Sequence, residues 1–192
     1  MEQAIKTSRL LLVSMGAEIM EAFLAEDRLA AARMLGCTIP TDFSLKSMPL
    51  AIRLAQLRAN PDLEPWLLRA MIDRASGTMI GHIGFHSSPR PRYLAEFAPD
   101  GVELGYTVHP GFRRRRYATE AVLALMHWAY MQHMQRCFVL SISAQNLPST
   151  AMAQSLGFLE CGSQVDDVDG PEIVFARRFK KWPADWRLDV VE

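Results

Sequence analysis

The chain has 192 residues, 49% of them hydrophobic, enough to bury a sizeable core without requiring a second domain, so residues 1–192 read as one. Twenty-one basic residues balance twenty-one acidic ones, and a net charge of zero argues against nucleic-acid binding through a broad positive surface. Cys37, Cys137 and Cys161 are widely spaced and lack any Cys-x-x-Cys or histidine cluster, so neither a disulfide framework nor a metal site is indicated and a reducing cytoplasm is expected.

The apolar run Leu10 to Val13 is too short for a signal-peptide core or a membrane span, and Arg9 to Ser14 reads as a first strand. From Ala17 to Leu35 apolar residues recur at helical intervals, giving two helices broken near Glu26-Asp27. Pro40 to Ser47 is loop, and Pro49 suits the first turn of a helix running to about Arg58 before Asn60-Pro61. Trp66 to Asp73 and Met79 to His86 are apolar runs joined by Arg74-Ala-Ser-Gly-Thr78, a hairpin composition. Ser87 to Gly101 has no periodicity, and a loop of this length is expected to be functional or mobile.

The stretch from Val102 to Ala121 reads as strand, basic turn, helix. Val102, Leu104, Tyr106 and Val108 alternate with Glu103, Gly105 and Thr107, and apolar positions from Ala118 onward take helical spacing. Between them Arg113 to Arg116 stand at the mouth of the helix. Side-chain charge, unpaired N–H groups and the positive end of the helix dipole together suit a phosphate-bearing ligand. The helix should end near His133-Met134, followed by a strand at Phe138 to Ile142. A helix opened by Asn146-Leu-Pro-Ser149 closes at Gly157-Phe158, and strands Phe158 to Gln164 and Glu172 to Phe179 meet around Asp166 to Gly170.

Glu-Leu-Gly-Tyr at 103–106, His109-Pro110, the arginine turn and Tyr117-Ala-Thr-Glu-Ala121 resemble the acetyl-coenzyme A signature of the GNAT acyltransferase superfamily, in particular its RimJ/RimL-like branch. Asn146, Ser149 and Gly157-Phe158 also match, as do Thr7-Ser8-Arg9-Leu10 at the start; the likeness is firmest over residues 79–179. The resemblance implies an α/β fold with a mixed, mostly antiparallel sheet, splayed at its centre and flanked by helices. In the family's Q/R-x-x-G-x-G/A turn, Arg113 fills the first place and Ala118 the last, but Arg116 replaces glycine. A left-handed conformation there would cost an arginine about 1–2 kcal/mol; the expectation is that Arg116 is already helical, with a cation gained at small cost.

The resemblance also implies roles. Backbone N–H groups of about Arg114 to Ala118, with the side chains of Arg113, Arg114, Arg115 and Arg116, would hold the pyrophosphate, with Tyr117 beside them and Thr119 as a hydroxyl contact. Backbone groups of Tyr106, Thr107 and Val108 would pair with pantetheine and stabilise the oxyanion. Glu103 is the candidate base, weighed against an exposed strand carboxylate. Where the family often has a tyrosine acid this chain has Ala153, and Ser149 is the substitute, weighed against an ordinary first-turn serine. Asn146 is both helix cap and pantetheine contact. A thiolate with an ordinary pKa of about 8.5 leaves near neutral pH without much help.

The implied activity is N-acetyl transfer from acetyl-CoA to a primary amine, a protein N-terminus or a small molecule, by direct transfer and without a metal. The alternative is a non-catalytic acyl-CoA-binding protein of the same fold. No nucleic-acid or membrane partner is expected, and a monomer and a homodimer stay open.

Overall fold

Leu10 and Leu12 are fully buried while Leu11 and Val13 are partly covered, so the first predicted strand forms with the alternation of a sheet carrying one principal core face. The computed structural model describes residues 4–166, 170–184 and 186. By chain contacts it divides into two compact units, residues 4–85 with 106–125, and residues 86–105 with 126–186. The turn expected around Asp166 to Gly170 falls largely on 167–169, outside the described residues.

In the first unit β1 (Ile5–Lys6), β2 (Leu10–Ser14), β3 (Leu68–Asp73) and β4 (Thr78–Phe85) pair antiparallel in that order. The short β1 has no counterpart in the sequence reading. Helices α1 (Ala17–Leu24), α2 (Arg28–Leu35) and α3 (Leu50–Ala59) contribute Met20, Phe23, Leu35, Leu54 and Leu57 to a core shared with Leu68 and Ile72. Full burial of one such side chain contributes about 1.5–3 kcal/mol. The break between α1 and α2 comes where expected: Glu26 is left-handed (φ 57°) and Asp27 caps α2 by accepting from the Ala30 amide at 2.9 Å.

The strand β5 (Val102–Val108) and the helix α4 (Tyr117–His133) each run from one unit into the other. The C-terminal end of β5 lies beside β4, with the His109 amide donating to the Ile80 carbonyl at 2.8 Å. In the second unit β5 pairs parallel with β6 (Cys137–Ser143) at Val102↔Phe138 and Glu103↔Val139, and the ladder stops there. β6 then pairs antiparallel with β8 (Gly170–Arg178), and β8 with β7 (Leu159–Asp166). The helix α5 (Leu147–Ser155) begins at the predicted cap, Asn146. The pairings are thus mixed and mostly antiparallel.

The loop expected to be functional or mobile is anchored. Arg92–Leu94 forms a single 3-10 turn, and Leu94 and Ala98 are fully buried against Cys137, Val139 and Val174. Phe97 lies on Gly162, where a Cβ would stand 2.4 Å from its ring.

Candidate active site

Polypeptide leaving β5 turns through His109, whose Nδ1 accepts from the Gly111 amide at 3.3 Å and whose ring stacks on Phe43. After the 3-10 turn Pro110–Phe112 come the arginines, all exposed. Among the described residues, the amides of Arg114 through Thr119 donate to no backbone carbonyl; the first that does is Glu120, to Arg116 at 3.1 Å. The run of N–H groups predicted at the helix mouth is therefore present, and a phosphate oxygen fits it chemically.

The expectation for Arg116 does not hold. Its φ is 63°, and Arg114 has the same value, so both are left-handed rather than helical. Each costs about 1–2 kcal/mol relative to an ordinary conformation. The glycine of the family pattern has been replaced without the backbone abandoning a glycine conformation.

What holds this shape is a set of contacts from the N-terminal segment. The Glu120 carboxylate accepts from Thr7 Oγ1 (2.6 Å), Ser8 Oγ (3.3 Å), the Arg9 amide (3.0 Å) and Arg9 Nε (2.7 Å). Arg9 Nη1 donates to the Arg115 carbonyl at 3.0 Å, and the Arg9 guanidinium lies 4.5 Å from the centre of the Tyr117 ring. Tyr117 donates its hydroxyl to Asp73 at 3.0 Å. Burial raises the Asp73 carboxyl, but the Ser76 hydroxyl and amide, Tyr117 and Arg9 outweigh it and hold the group below its usual range. Thr7-Ser8-Arg9 read as a family opening; its attachment to Glu120, 111 residues away from Arg9, was not legible.

One of the expected phosphate contacts is already engaged within the fold. Arg113 Nε donates to the Val108 carbonyl at 2.8 Å, closing the turn onto the end of β5. The Thr107 carbonyl lies close to β4, where a Cβ on Gly81 would meet it at 2.3 Å.

In the second unit Glu103 is 3% exposed, which removes the reading of an exposed strand carboxylate. Its Oε2 lies 3.3 Å from His86 Nδ1, and Ser141 and Tyr93 also hydrogen-bond to the carboxylate. Burial raises this carboxyl, yet the bond and charge of His86, followed by the Ser141 and Tyr93 hydroxyls, bring it below the ordinary glutamate value. Ser141 Oγ in turn accepts from Gln164 Nε2 at 3.0 Å. The sequence reading singled out none of these partners, because they come from β6, β7 and the loop after β4.

Asn146 caps α5, its Oδ1 accepting from the Ser149 amide at 3.3 Å, and Ser149 is half-buried in the first helical turn. Ala153, at the position of the family's tyrosine, is fully buried. Among the described residues no cluster of three or more metal-ligating side chains occurs, and no helix is long and apolar enough to cross a membrane.

The acetyltransferase (GNAT) domain model matches residues 9–159. No curated protein matches the sequence. Similar solved structures include a protein of Bordetella pertussis assigned to the GnaT-family acetyltransferases, with 24% identity, a TM-score of 0.65, and coverage of 92% of this chain and 99% of that one. The ribosomal-protein-S5-alanine acetyltransferase of Vibrio fischeri is 12% identical, with a TM-score of 0.62 and coverage of 95% and 100%. RimL, a ribosomal L7/L12 α-N-protein acetyltransferase solved with coenzyme A, is 17% identical, with a TM-score of 0.60 and coverage of 92% and 98%. The strand, the arginine turn, whose amides meet no backbone carbonyl among the described residues, and the helix that follows all lie inside the matched region, and the chain belongs to the GNAT acetyltransferase domain family.

Proposed function

We propose that the chain is a RimJ/RimL-like N-acetyltransferase of the cytoplasm, moving the acetyl group of acetyl-CoA directly to a primary amine, a protein N-terminus or a small molecule. The observation that carries this reading is the run of amides from Arg114 to Thr119, unpaired among the described residues and set among four exposed arginine side chains. Those amides and cations would hold the pyrophosphate, with Thr119 as a hydroxyl contact. Backbone groups of Tyr106, Thr107 and Val108 would pair with the pantetheine arm, and Asn146 would contact it. Glu103 would be the base that removes the proton from the amine, directly or through water, and Ser149 would meet the departing sulfur.

An α-amino group, with an ordinary pKa near 8, asks much less of such a base than a lysine near 10.4. RimL and the S5-alanine enzyme, named for ribosomal-protein acetylation, make a protein N-terminus the first acceptor to try. The second reading, a non-catalytic acyl-CoA binder, draws on Ala153, whose full burial leaves no tyrosine acid at that place.

The test is thermal unfolding with and without excess acetyl-CoA, followed by transfer assays on amines. Ligand at 100 times its dissociation constant adds about 2.7 kcal/mol, which for a chain of this size raises the melting temperature by about 5–10 °C. No shift counts against both readings. A shift without transfer to any amine selects the binder.

A further inference from the structure

Glu103 is poorly placed to meet an amine itself. Its side chain is 4% exposed, and its oxygens already take hydrogen bonds from His86, Ser141 and Tyr93. Three donors leave the carboxylate about one further acceptor site, on a side chain almost wholly withdrawn from solvent. The imidazole of His86, by contrast, is 37% exposed.

His86 is tied to residue 103 at both ends. Its backbone amide donates to the Glu103 carbonyl at 2.9 Å, and its Nδ1 stands 3.3 Å from Glu103 Oε2. A carboxylate only accepts, so Nδ1 carries a proton in this contact, and in the neutral ring the lone pair is then on Nε2. The ring then projects over Gly105, where a Cβ would lie 2.7 Å from Nε2, 3.6 Å from Cε1 and 3.7 Å from Cδ2. Any side chain at 105 would occupy the place that the tip of the imidazole takes. Gly105 thus seats the basic nitrogen on β5, just past the end of the ladder with β6.

We propose that His86 Nε2 is the atom that takes the proton from the acceptor ammonium, and that Glu103 is a positioning residue that fixes the imidazole tautomer and compensates the charge it gains. The inference rests on the transferase reading and gives that site its base. The ammonium gives one proton to Nε2, which passes it to water. The freed nitrogen forms its bond to the acetyl carbon, and the carbon–sulfur bond breaks with its electron pair going to sulfur. The second nitrogen proton ends on that sulfur, leaving amide, thiol and one proton in solution. Neither an oxidant nor a metal enters this balance.

Two measurements test it. Nitrogen-15 NMR of the histidine rings in the intact chain, which needs no acceptor, should find His86 as the Nδ1–H tautomer and should lose that preference in Glu103→Gln. Steady-state transfer by His86→Gln to a panel of peptides with free N-termini and polyamines should show kcat reduced at least about 100-fold. The KM for acetyl-CoA should stay within about twofold of wild type, and the acid limb of the pH profile should be gone. An Nε2–H tautomer in the wild type overturns the proposal, as does wild-type kcat in His86→Gln, or a reduced kcat with the acid limb still in place. Should His86→Gln fail to fold, Gly105→Ala moves the ring while leaving both partners intact, and unchanged kcat there is equally fatal. A wild-type chain that binds acetyl-CoA yet acetylates no amine refutes the transferase reading itself and this inference with it.

Discussion

Gly105 and His86 occupy one space: a Cβ at residue 105 would stand 2.7 Å from His86 Nε2. The atom in the way is the end of a part-exposed side chain, so Gly105→Ala should be met by rotation of the imidazole rather than by movement of the strand. Stability should change by less than about 1 kcal/mol, within the range of mild substitutions. Turnover should fall by at least about tenfold, because Nδ1 would leave Glu103. Urea unfolding beside initial-rate assays separates the two effects, and an alanine variant with full turnover would show that the ring's position is immaterial.

Gly81 provides the contrast. Its missing Cβ would meet the Thr107 carbonyl at 2.3 Å and the Val108 Cα at 3.2 Å, backbone atoms that cannot rotate aside. Gly81→Ala should therefore destabilise by about 1–3 kcal/mol, the cost of overpacking, and lower the melting temperature by several degrees. A melting temperature equal to that of the wild type would mean that β4 and β5 are less closely apposed than described.

The left-handed Arg116 leads to a prediction with opposite signs for stability and binding. Arg116→Gly removes about 1–2 kcal/mol of backbone strain and adds some entropy to the unfolded chain, for a net gain of about 0.5–1 kcal/mol. Acetyl-CoA affinity should nevertheless fall severalfold, with a shallower dependence on salt. The backbone is already in the conformation glycine would take (φ 63°), so nothing is gained in the cradle, and a cation is lost. Calorimetric titration at two salt concentrations decides it; tighter binding would show that the arginine side chain obstructs the turn.

Why the sequence made some of this legible and not the rest follows from the range of the interactions. The α1/α2 break, the Asn146 cap and the strand–turn–helix at 102–121 are written in residues a few positions apart, and they formed as read. Glu103 was found because it lies on the signature strand. Its partners His86, Tyr93, Ser141 and Gln164 come from other segments, and no local period marks them. Arg116 departs from its expected helical conformation for a related reason. Local propensity favours a helical arginine, and the opposing force comes through Arg9 and Glu120, tertiary contacts to which composition gives no clue.

Glu120 should behave as a positioning residue for the arginine turn. Glu120→Gln keeps the shape but loses the ion pair with Arg9 and weakens the bonds from Thr7, Ser8 and the Arg9 amide. Bonds to a charged group contribute about 1.5–3 kcal/mol where protected, and less here because Arg9 is partly exposed, so a loss of about 1–2 kcal/mol is expected. The KM for acetyl-CoA should rise by about three- to tenfold with kcat nearly unchanged, since the turn is loosened and the base is not touched. A fall in kcat at constant KM would place Glu120 elsewhere in the reaction.

His82 gives the chain a built-in sensitivity to mild acid. The side chain lies in β4, 4% exposed, its Nδ1 lacks a hydrogen-bond partner among the described residues, and burial pushes its pKa down to about 4. The unfolded chain regains the ordinary value near 6.5, so between about pH 4 and 6.5 the unfolded state binds a proton that the folded state refuses. Stability therefore rises with pH across that window, by at most about 1.4 kcal/mol per unit, and this dependence is gone above it. His127, lowered by burial as well, adds to the same slope. Glu103 and Asp73, held below their usual values, act in more acidic solution, where their contribution is lost as they protonate. His82→Leu should flatten the curve between pH 4.5 and 6.5, the range over which urea midpoints should be measured, without altering its fall at lower pH. An identical slope in variant and wild type would mean that His82 is protonated in the folded chain, in contact with solvent or an acceptor that its burial does not suggest.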